Sequence, residues 1–567
     1  MDYIRNYQLW LKDDLAREEL NLIDGDEKEI EYRFGAELKF GTAGMRGLIG
    51  MGTNMLNVYT VKRATKGLAE YVKTLGEKAM KRGVVISYDT RKNSDVFAMA
   101  TAGVLMKNGI NVKIFENPSP VPMLSYAVRS FKAVAGVMIT ASHNPKEYNG
   151  YKVYGEDGAQ MSPEATSVVV DFINKITDYF SVKACEYNEI KPQKGVKVLG
   201  KSFTDKYVKT LTKLSLSKKA VKTVGKDLKI VYTPLHGTGY TPVTKVLSKL
   251  GINVSVVESQ VKPDPSFSTV EVPNPENKEA MTMGVELANK IGADVVFGTD
   301  PDSDRLGVAI RDDGGNFINL TGNQVGVLLT DYVLRRLKED GKLPTNGAVI
   351  KSFVSTGMVK PVCDDYGVKL MEVPVGFKFI GEKIKNFERD KSHTFLFGFE
   401  ESCGYLRGTH ARDKDAVVAS MLFAEMTCYY EYNKTSVYNV LNSLYNKYGY
   451  VIDKTISIAY KGLSAMDEMN AVVEKMRNSV VKVDGFDILA VRDYLKGERS
   501  SIKGVEKLEY DQINCLYYEL SGGGFVCLRP SGTEPKLKIY YSVIGKDEAE
   551  SQSKLNLLIE GFEKLLK

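Results

Sequence analysis

The sequence predicts an α/β protein, with three related α/β domains followed by a smaller C-terminal α+β domain. Three observations predict it. First, an apolar strand, a polar or glycine-bearing loop, a helix, a glycine and a second strand recur three times. The copies are VVISYDTRKNSDVFAMATAGVLMKNGINVKIFE at 84–116, KIVYTPLHGTGYTPVTKVLSKLGINVSVVE at 229–258 and AVIKSFVSTGMVKPVCDDYGVKLMEV at 348–373. Second, the pattern changes after residue 448, where strands and turns replace the strand–helix alternation. Third, the 567 residues leave room for roughly four domains at about 150 residues each.

Each recurring copy reads as a strand–helix–strand unit, whose two strands pair in parallel. Gly109-Ile110-Asn111-Val112 and Gly251-Ile252-Asn253-Val254 are the clearest echo, and Gly367-Val368-Lys369-Leu370 a weaker one. The copies stand too far apart for a solenoid, so they mark duplicated domains. The expected boundaries are 1–205, 206–322, 323–448 and 449–567. Residues 1–35 read as charged, amphipathic helix. In the last domain Ser464 is expected to cap a helix over AMDEMNAVVEKMRN. The strand-like runs GGFVCLR and KLKIYYSVIG flank the turn-rich RPSGTEP, and DEAESQSKLNLLIEGFEKLL closes with a helix.

Composition narrows the function. Hydrophobic residues at 43% and charged residues at 26% suit an ordinary globular protein with several cores. The net charge of +6, from 77 basic and 71 acidic residues, is small and scattered, which argues against a nucleic-acid partner. It still allows one positively charged site for an anionic substrate. The six cysteines form no CxxC pair, so neither a disulfide framework nor a thiolate zinc site is expected. The N-terminal MDYIRNYQLWLKDDL lacks a signal-type apolar core, and no run approaches membrane-spanning length. The expectation is a cytoplasmic protein without a membrane partner.

Four loops carry chemistry. Thr140-Ala141-Ser142-His143-Asn144-Pro145 follows the apolar run AVAGVMI, and ligand sites in α/β sheets lie at such strand ends. Ser142 fits a nucleophile there, with His143 and Lys152 as proton carriers or charge partners; the same residues also fit a plain turn before Pro145. No GxSxG surrounds Ser142, which excludes a hydrolase elbow. The second loop, Asp300-Pro301-Asp302-Ser303-Asp304-Arg305, follows ADVVF. Three alternating carboxylates repel unless a cation sits among them, and an all-oxygen set selects a hard ion such as Mg²⁺. An EF-hand is excluded, because its sixth and twelfth positions would be Arg305 and Arg311. The third loop, GFEES, offers Glu400 and Ser402 to sugar hydroxyls. The nearby His410-Ala411-Arg412-Asp413-Lys414-Asp415 reads as a solvated charge cluster. The fourth, Arg529-Pro530-Ser531-Gly532-Thr533-Glu534-Pro535-Lys536, gathers donors able to wrap a phosphate, though it also fits a strand-to-strand turn.

Taken in order, these loops resemble the α-D-phosphohexomutase superfamily from about Phe40 to Lys538. TASHNPKEYNGYK resembles its phosphoserine loop, DPDSDR its metal loop, GFEES its sugar-specificity loop and RPSGTEPK its phosphate loop. FGTAGMRG resembles the family's N-terminal segment and places Arg46 near the site, while YDTRKNS and PLHGTG resemble two further segments. The longer form, with HARDKDAVVAS, is most similar to the phosphoglucomutase-2 and phosphopentomutase branch. One departure is Pro374-Val375-Gly376-Phe377-Lys378, where relatives often carry threonine at the valine position; Lys378 is kept.

The resemblance implies four domains around a central cleft and a mutase acting on a phosphosugar. It implies Ser142 as phosphoryl carrier, Mg²⁺ on Asp300, Asp302, Asp304 and the phosphoserine, and His143, Lys152 and Arg46 beside the reaction. Arg305, Lys378, Glu400 and Ser402 are then expected on the sugar, and Arg529, Ser531, Gly532, Thr533 and Lys536 on the other phosphate. Glucose phosphates are the expected substrate, primed by glucose 1,6-bisphosphate, with pentose or mannose phosphates as alternatives. A sugar bisphosphate synthase and a non-catalytic phosphosugar-binding regulator are the two other classes.

Overall fold

The structure, a computed structural model, describes residues 2–41, 44–186, 194–460, 464–532 and 535–566. The amphipathic N-terminal stretch is not one helix. It breaks into Tyr3–Trp10, Asp14–Leu20 and Glu27–Phe34. The cause is local: Asp2, Asp13 and Asp26 each accept a hydrogen bond from the backbone N–H three residues on, at Arg5, Ala16 and Glu29. Each aspartate thereby restarts the helix. Trp10 and Phe34 on these helices pack against Tyr59 and Tyr179.

The first sheet contains β1 (Gly44–Leu48), β2 (Val84–Tyr88), β3 (Val112–Phe115), β4 (Ala135–Ile139), β5 (Tyr148–Gly155) and β6 (Val196–Leu199), in the order β1-β5-β4-β2-β3-β6. β4, β2, β3 and β6 run parallel, and β5 and β1 continue the sheet antiparallel. Every residue of β2 and β4 is buried, as parallel strands covered on both faces must be. The second sheet orders β7 (Ile230–Thr233), β8 (Val254–Val256), β9 (Val295–Thr299), β10 (Leu306–Arg311) and β11 (Phe317–Leu320) as β11-β10-β9-β7-β8. Next come the parallel pair β12 (Gly347–Ser352) and β13 (Lys369–Val373) and the antiparallel pair β14 (Thr394–Glu400) and β15 (Gly404–Leu406). A seven-stranded antiparallel sheet follows, from β16 (Tyr450–Ala459), β17 (Ile488–Asp493), β18 (Glu498–Ser501), β19 (Gly504–Lys507), β20 (Leu516–Leu520), β21 (Phe525–Pro530) and β22 (Lys536–Gly545). The helices Ala465–Arg477 and Glu548–Leu566 bury Met469, Val473, Leu558 and Phe562 against it. Ser464 stands at the expected helix start, but its hydroxyl bonds the Glu468 carboxylate rather than a backbone N–H.

By internal contacts the chain forms two compact units. One is Met1–Gly322 with Phe377–Lys434, and the other is Asn323–Gly376 with Thr435–Lys567. Among the described residues, no helix is long and apolar enough to cross a membrane.

The three repeats are parallel strand–helix–strand units, as expected: β2–β3, β7–β8 and β12–β13. Their shared glycine is a helix stop. Gly109, Gly251 and Gly367 have φ of 76°, 87° and 65°. The next residue in each case sends its N–H back to the carbonyl five positions earlier: Ile110 to Leu105, Ile252 to Leu247 and Val368 to Cys363, at 2.9–3.0 Å. This ties off the helix and buries the apolar residue before the returning strand. Around Gly251 no atom lies within 4 Å of where a Cβ would sit. Gly251→Ala therefore tests backbone conformation alone. It is expected to cost about 1 kcal/mol and to lower a calorimetric transition by about 2–4 °C. Gly251→Asn, which tolerates this conformation better, is expected to lose less. An alanine variant as stable as the parent would refute the stop.

Candidate functional site

The site in the first unit is built at the carboxyl ends of strands. β4 ends in the Ser142 loop, β9 in the Asp300–Arg305 loop and β2 in Asp89-Thr90-Arg91. Ser142 is buried and takes a left-handed backbone, φ 52°. Its N–H donates to Thr140 Oγ1 at 2.8 Å, and its hydroxyl donates to Asp300 Oδ2 at 2.7 Å. His143 Nδ1 lies 3.2 Å from the same hydroxyl. The turn and the nucleophile are thus one geometry: the turn aims Ser142 Oγ at the acidic loop.

Ligand atoms of Asp300, Asp302 and Asp304 all lie within 4.8 Å of one another, and all three side chains are buried. Asp300 has both carboxylate oxygens held, and Asp302 and Asp304 have one each. Asp300 Oδ1 accepts the N–H groups of Asp304 and Arg305 at 3.1 and 3.0 Å. Asp302 Oδ2 accepts Lys152 Nζ at 2.9 Å and Thr140 Oγ1 at 3.2 Å. Asp304 Oδ2 pairs with Lys414 Nζ at 3.1 Å. The remaining oxygens, Asp302 Oδ1 and Asp304 Oδ1, are buried without a hydrogen-bond partner. Orphaned, preheld carboxylate oxygens are what an oxygen-seeking divalent cation needs, so the residues fit Mg²⁺. Burial, then Asp302 and Asp304 nearby, push Asp300 well above the usual carboxylate range. Burial acts the same way on Asp302, but Lys152 overcomes it and holds that carboxyl below its usual range. Asp304 is raised by burial, against the pull of Lys414. Burial, reinforced by Arg305 and Arg46, drives His143 well below its usual value, so its ring is neutral.

Neighbouring segments seat the acidic loop. Thr238, in PLHGTG, sends both its N–H and its hydroxyl to Pro301 O at 2.9 Å. A Cβ on Gly237 would lie 2.6 Å from Pro301 Cα, so this approach needs glycine. From the other side Leu306 N–H bonds Cys403 O, and Ala416 N–H bonds Ser303 O.

The predicted residues distribute as follows. Ser142, His143, Lys152, Asp300, Asp302, Asp304 and Arg305 form one cluster. Arg305 pairs with Glu276. Arg46, on β1, donates to Asn144 Oδ1 at 2.7 Å and so borders the Ser142 loop. Glu400 ends β14 and is buried; against the effect of burial, Asp304, Asp413 and Glu400 together raise Lys414 above its usual range. Ser402 is half-buried in the turn between β14 and β15, which bridges back to the acidic loop through Arg305 and Gly404. Lys378, in the first turn of the helix Phe377–Asp390, lies with its ammonium 5.0 Å from the Phe379 ring. With Glu164 and Glu382 it lines a hollow of about 600 Å³ that reaches Val134, just before β4, while Ser142 follows the opposite end of that strand. In the second unit, Arg529, Ser531, Gly532 and Lys536 stand on the β21–β22 hairpin. Ser531 N–H closes onto Lys536 O at 2.9 Å, and Gly532 is exposed. Thr533 lies outside the described residues.

Two findings go beyond the sequence reading. The segment 410–415 is not solvated: Arg412, Asp413 and Asp415 are buried. Tyr154 bonds Asp413 at 2.9 Å, and Tyr207 and His410 each bond Asp415 at 2.7 Å. Its charges pair across the fold, which linear sequence does not display. The other is Arg91. Its guanidinium, wholly buried, donates to four carbonyls of the Ser142 loop. Its position just past the buried strand β2 was the available signal.

Three family profiles match the chain: phosphoglucomutase/phosphomannomutase alpha/beta/alpha domain I over residues 37–180, domain II over 205–315 and domain III over 321–448. Among named proteins, a phosphoglucomutase of Staphylococcus saprophyticus is 36% identical over 538 residues, covering 94% of this chain and 95% of its own. One of Staphylococcus aureus strain USA300 is 37% identical over 544 residues, with the same coverage. Among solved structures, Paramecium parafusin, a phosphoglucomutase in an open form, superposes with a TM-score of 0.69 at 17% identity, over 94% of this chain and 95% of that one. A phosphoglucomutase/phosphomannomutase family protein of Burkholderia thailandensis gives 0.67 at 17% identity, over 93% and 96%. At that identity the two structures speak to fold alone.

The orphaned oxygens generate a prediction. Asp302→Asn is expected to weaken Mg²⁺ binding, read by calorimetric titration, by at least about tenfold, the lower end of what even outer-shell changes cost. Asp313→Asn, at an exposed acidic position, is expected to leave it unchanged. Equal affinities in all three proteins would place the cation elsewhere.

Proposed function

We propose that this chain, which belongs to the phosphoglucomutase/phosphomannomutase family of the α-D-phosphohexomutases, is a phosphoglucomutase. It interconverts glucose 1-phosphate and glucose 6-phosphate through phosphorylated Ser142 and a sugar 1,6-bisphosphate. The observation that carries this reading is Ser142 Oγ, aimed by a left-handed turn at the acidic triad, 2.7 Å from Asp300.

The chemistry divides among this chain's residues. Phosphoserine at 142 passes its phosphoryl group to the free hydroxyl of the sugar phosphate. The P–O bond to Ser142 breaks as the bond to the sugar oxygen forms, and the hydroxyl proton passes to His143 or Lys152. His143 is neutral beside Ser142 Oγ, and Lys152 stands on Asp302, so both are within the site. The bisphosphate turns over, and its other phosphoryl group returns to Ser142. Glu400 and Ser402 hydrogen-bond the sugar hydroxyls in both orientations. Arg529, Ser531, Gly532, Thr533 and Lys536 hold the phosphate that is not reacting. Asp300, Asp302 and Asp304 would hold Mg²⁺, which would supply neutralisation of charge on the transferred phosphoryl group. Glucose 1,6-bisphosphate primes a dephosphorylated Ser142. Four domains with the boundaries 1–205, 206–322, 323–448 and 449–567, and a cytoplasmic setting, complete the reading. The strand groups 44–199, 230–320 and 450–545 each fall inside one of those segments, which supports the first, second and fourth, while residues 323–448 are shared between the two compact units.

The test is peptide mass analysis with mutase assays. Purified protein is expected to carry a fraction with one phosphate on Ser142, rising after incubation with glucose 1,6-bisphosphate. Ser142→Ala is expected to lose activity by about 1,000-fold or more while remaining folded. Rates on glucose 1-phosphate, mannose 1-phosphate and ribose 1-phosphate, measured side by side, are expected to favour glucose. Substantial turnover by pure Ser142→Ala protein would sink the mechanism.

A further inference from the structure

We propose that Arg91 is the positioning residue of the phosphoryl-carrying loop, acting as an internal cation around which residues 142–148 are wrapped. The proposal rests on Ser142 being the carrier. Arg91 Nη2 donates to Ser142 O at 2.6 Å and Asn144 O at 2.5 Å, and Nη1 donates to Pro145 O at 2.8 Å and Tyr148 O at 3.0 Å. Four carbonyl oxygens thus converge on one interior point. Their dipoles repel unless a cation with several donors sits between them. The four terminal N–H bonds of a guanidinium match four acceptors in a fixed plane. None of the side chain reaches solvent, so no water substitutes for it.

Arg91 is itself held. Asp89 Oδ1 accepts the Arg91 N–H at 2.9 Å and the Ser94 hydroxyl at 2.7 Å. The guanidinium lies over the Phe267 ring at 5.1 Å. The rigid end is therefore the strand β2 and its exit, and the supported end is the loop. What needs support is Ser142, a serine held at φ 52°, in a left-handed conformation disfavoured outside glycine. Arg91 binds the carbonyl of that same residue. It touches no reacting atom; it fixes where Ser142 Oγ stands relative to Asp300. A lysine keeps the charge but offers its donors from a single nitrogen, so it satisfies some of the carbonyls and leaves the loop free to shift. A shift of about 1 Å at a reacting oxygen costs about 100-fold in rate.

The experiment compares wild type, Arg91→Lys and Ser94→Ala, which removes one support of Asp89, as full-length proteins. Four quantities are read: thermal unfolding, Mg²⁺ affinity, kcat and KM for glucose 1-phosphate, and the rate of Ser142 phosphorylation by glucose 1,6-bisphosphate. Arg91→Lys is expected to fold, to bind Mg²⁺ as wild type does and to keep KM within about twofold. Its kcat and its phosphorylation rate are expected to fall together by about 100-fold. Ser94→Ala is expected to show the same split, several-fold in size, and it decides the question if Arg91→Lys does not fold. A role in stability alone would lower the unfolding temperature while leaving kcat per folded molecule unchanged, and that result overturns the proposal. If wild type takes phosphate on Ser142 and the variants take it equally fast, Arg91 has no positioning role. If wild type takes none there, the reading of Ser142 fails, and this proposal fails with it.

Discussion

Three carboxylates buried within 4.8 Å of one another repel, and much of the first unit is arranged around that repulsion. The compensation comes from several segments. Lys152 on β5 meets Asp302, Lys414 from the segment after β15 meets Asp304, and the Ser142 hydroxyl with two backbone N–H groups meets Asp300. No single segment could neutralise the cluster. The acidic loop exists only because the fold brings distant parts of the chain to the ends of β4 and β9. This coupling makes the site a product of tertiary structure, although its motifs are local.

A second constraint follows. Loops that must aim polar groups inward cannot all keep ordinary backbone conformations. Ser142, Ser303, Cys403, Leu235 and His236 are all non-glycine residues with positive φ, between 47° and 59°. They sit in the serine loop, the acidic loop, GFEESCG and PLHGTG, the same segments that surround the cluster. Such strain persists only where the surroundings over-determine it. Here the surroundings are explicit: Thr238 on Pro301 O, Ala416 on Ser303 O and Arg91 on Ser142 O.

Much of this was legible in the sequence, for a physical reason. The repeats announce themselves because a parallel strand–helix–strand unit needs a buried strand, a helix and a residue able to turn left-handed after it. Gly109, Gly251 and Gly367 supply that residue at matching places. Asp300, Asp302 and Asp304 were legible because alternate carboxylates after an apolar strand have few other uses. What escaped was pairing at a distance. The run 410–415 looked solvated because its partners Tyr154, Tyr207, Asp304 and Glu388 are scattered along the chain. The N-terminal stretch looked like one helix because amphipathic periodicity continues through Asp13 and Asp26, and only their capping bonds show the breaks. Several strands of the antiparallel sheet escaped because their residues carry little apolar signal: β18 (ERSS) holds no apolar residue, β19 (GVEK) is exposed throughout, and β16 is interrupted by polar residues along its length.

The same coupling explains why two motifs that read separately belong together. A Cβ on Gly404 would lie 2.0 Å from Lys414 Cδ and 2.7 Å from its Cγ. The stem of Lys414 therefore crosses the backbone at the start of β15 and needs the space that glycine leaves. At its tip the ammonium meets Asp304 at 3.1 Å and Asp413 at 3.4 Å. Glycine in GFEESCG is thus the condition for lysine in HARDKD to reach the acidic loop. A side chain at 404 would push the ammonium away and leave Asp304 uncompensated in a buried cluster, where an unpaired charge costs far more than the lost contact. The glycine that ends the sugar-loop motif and the lysine ten residues on are one device. Its output is the charge balance of the site rather than anything either motif displays alone.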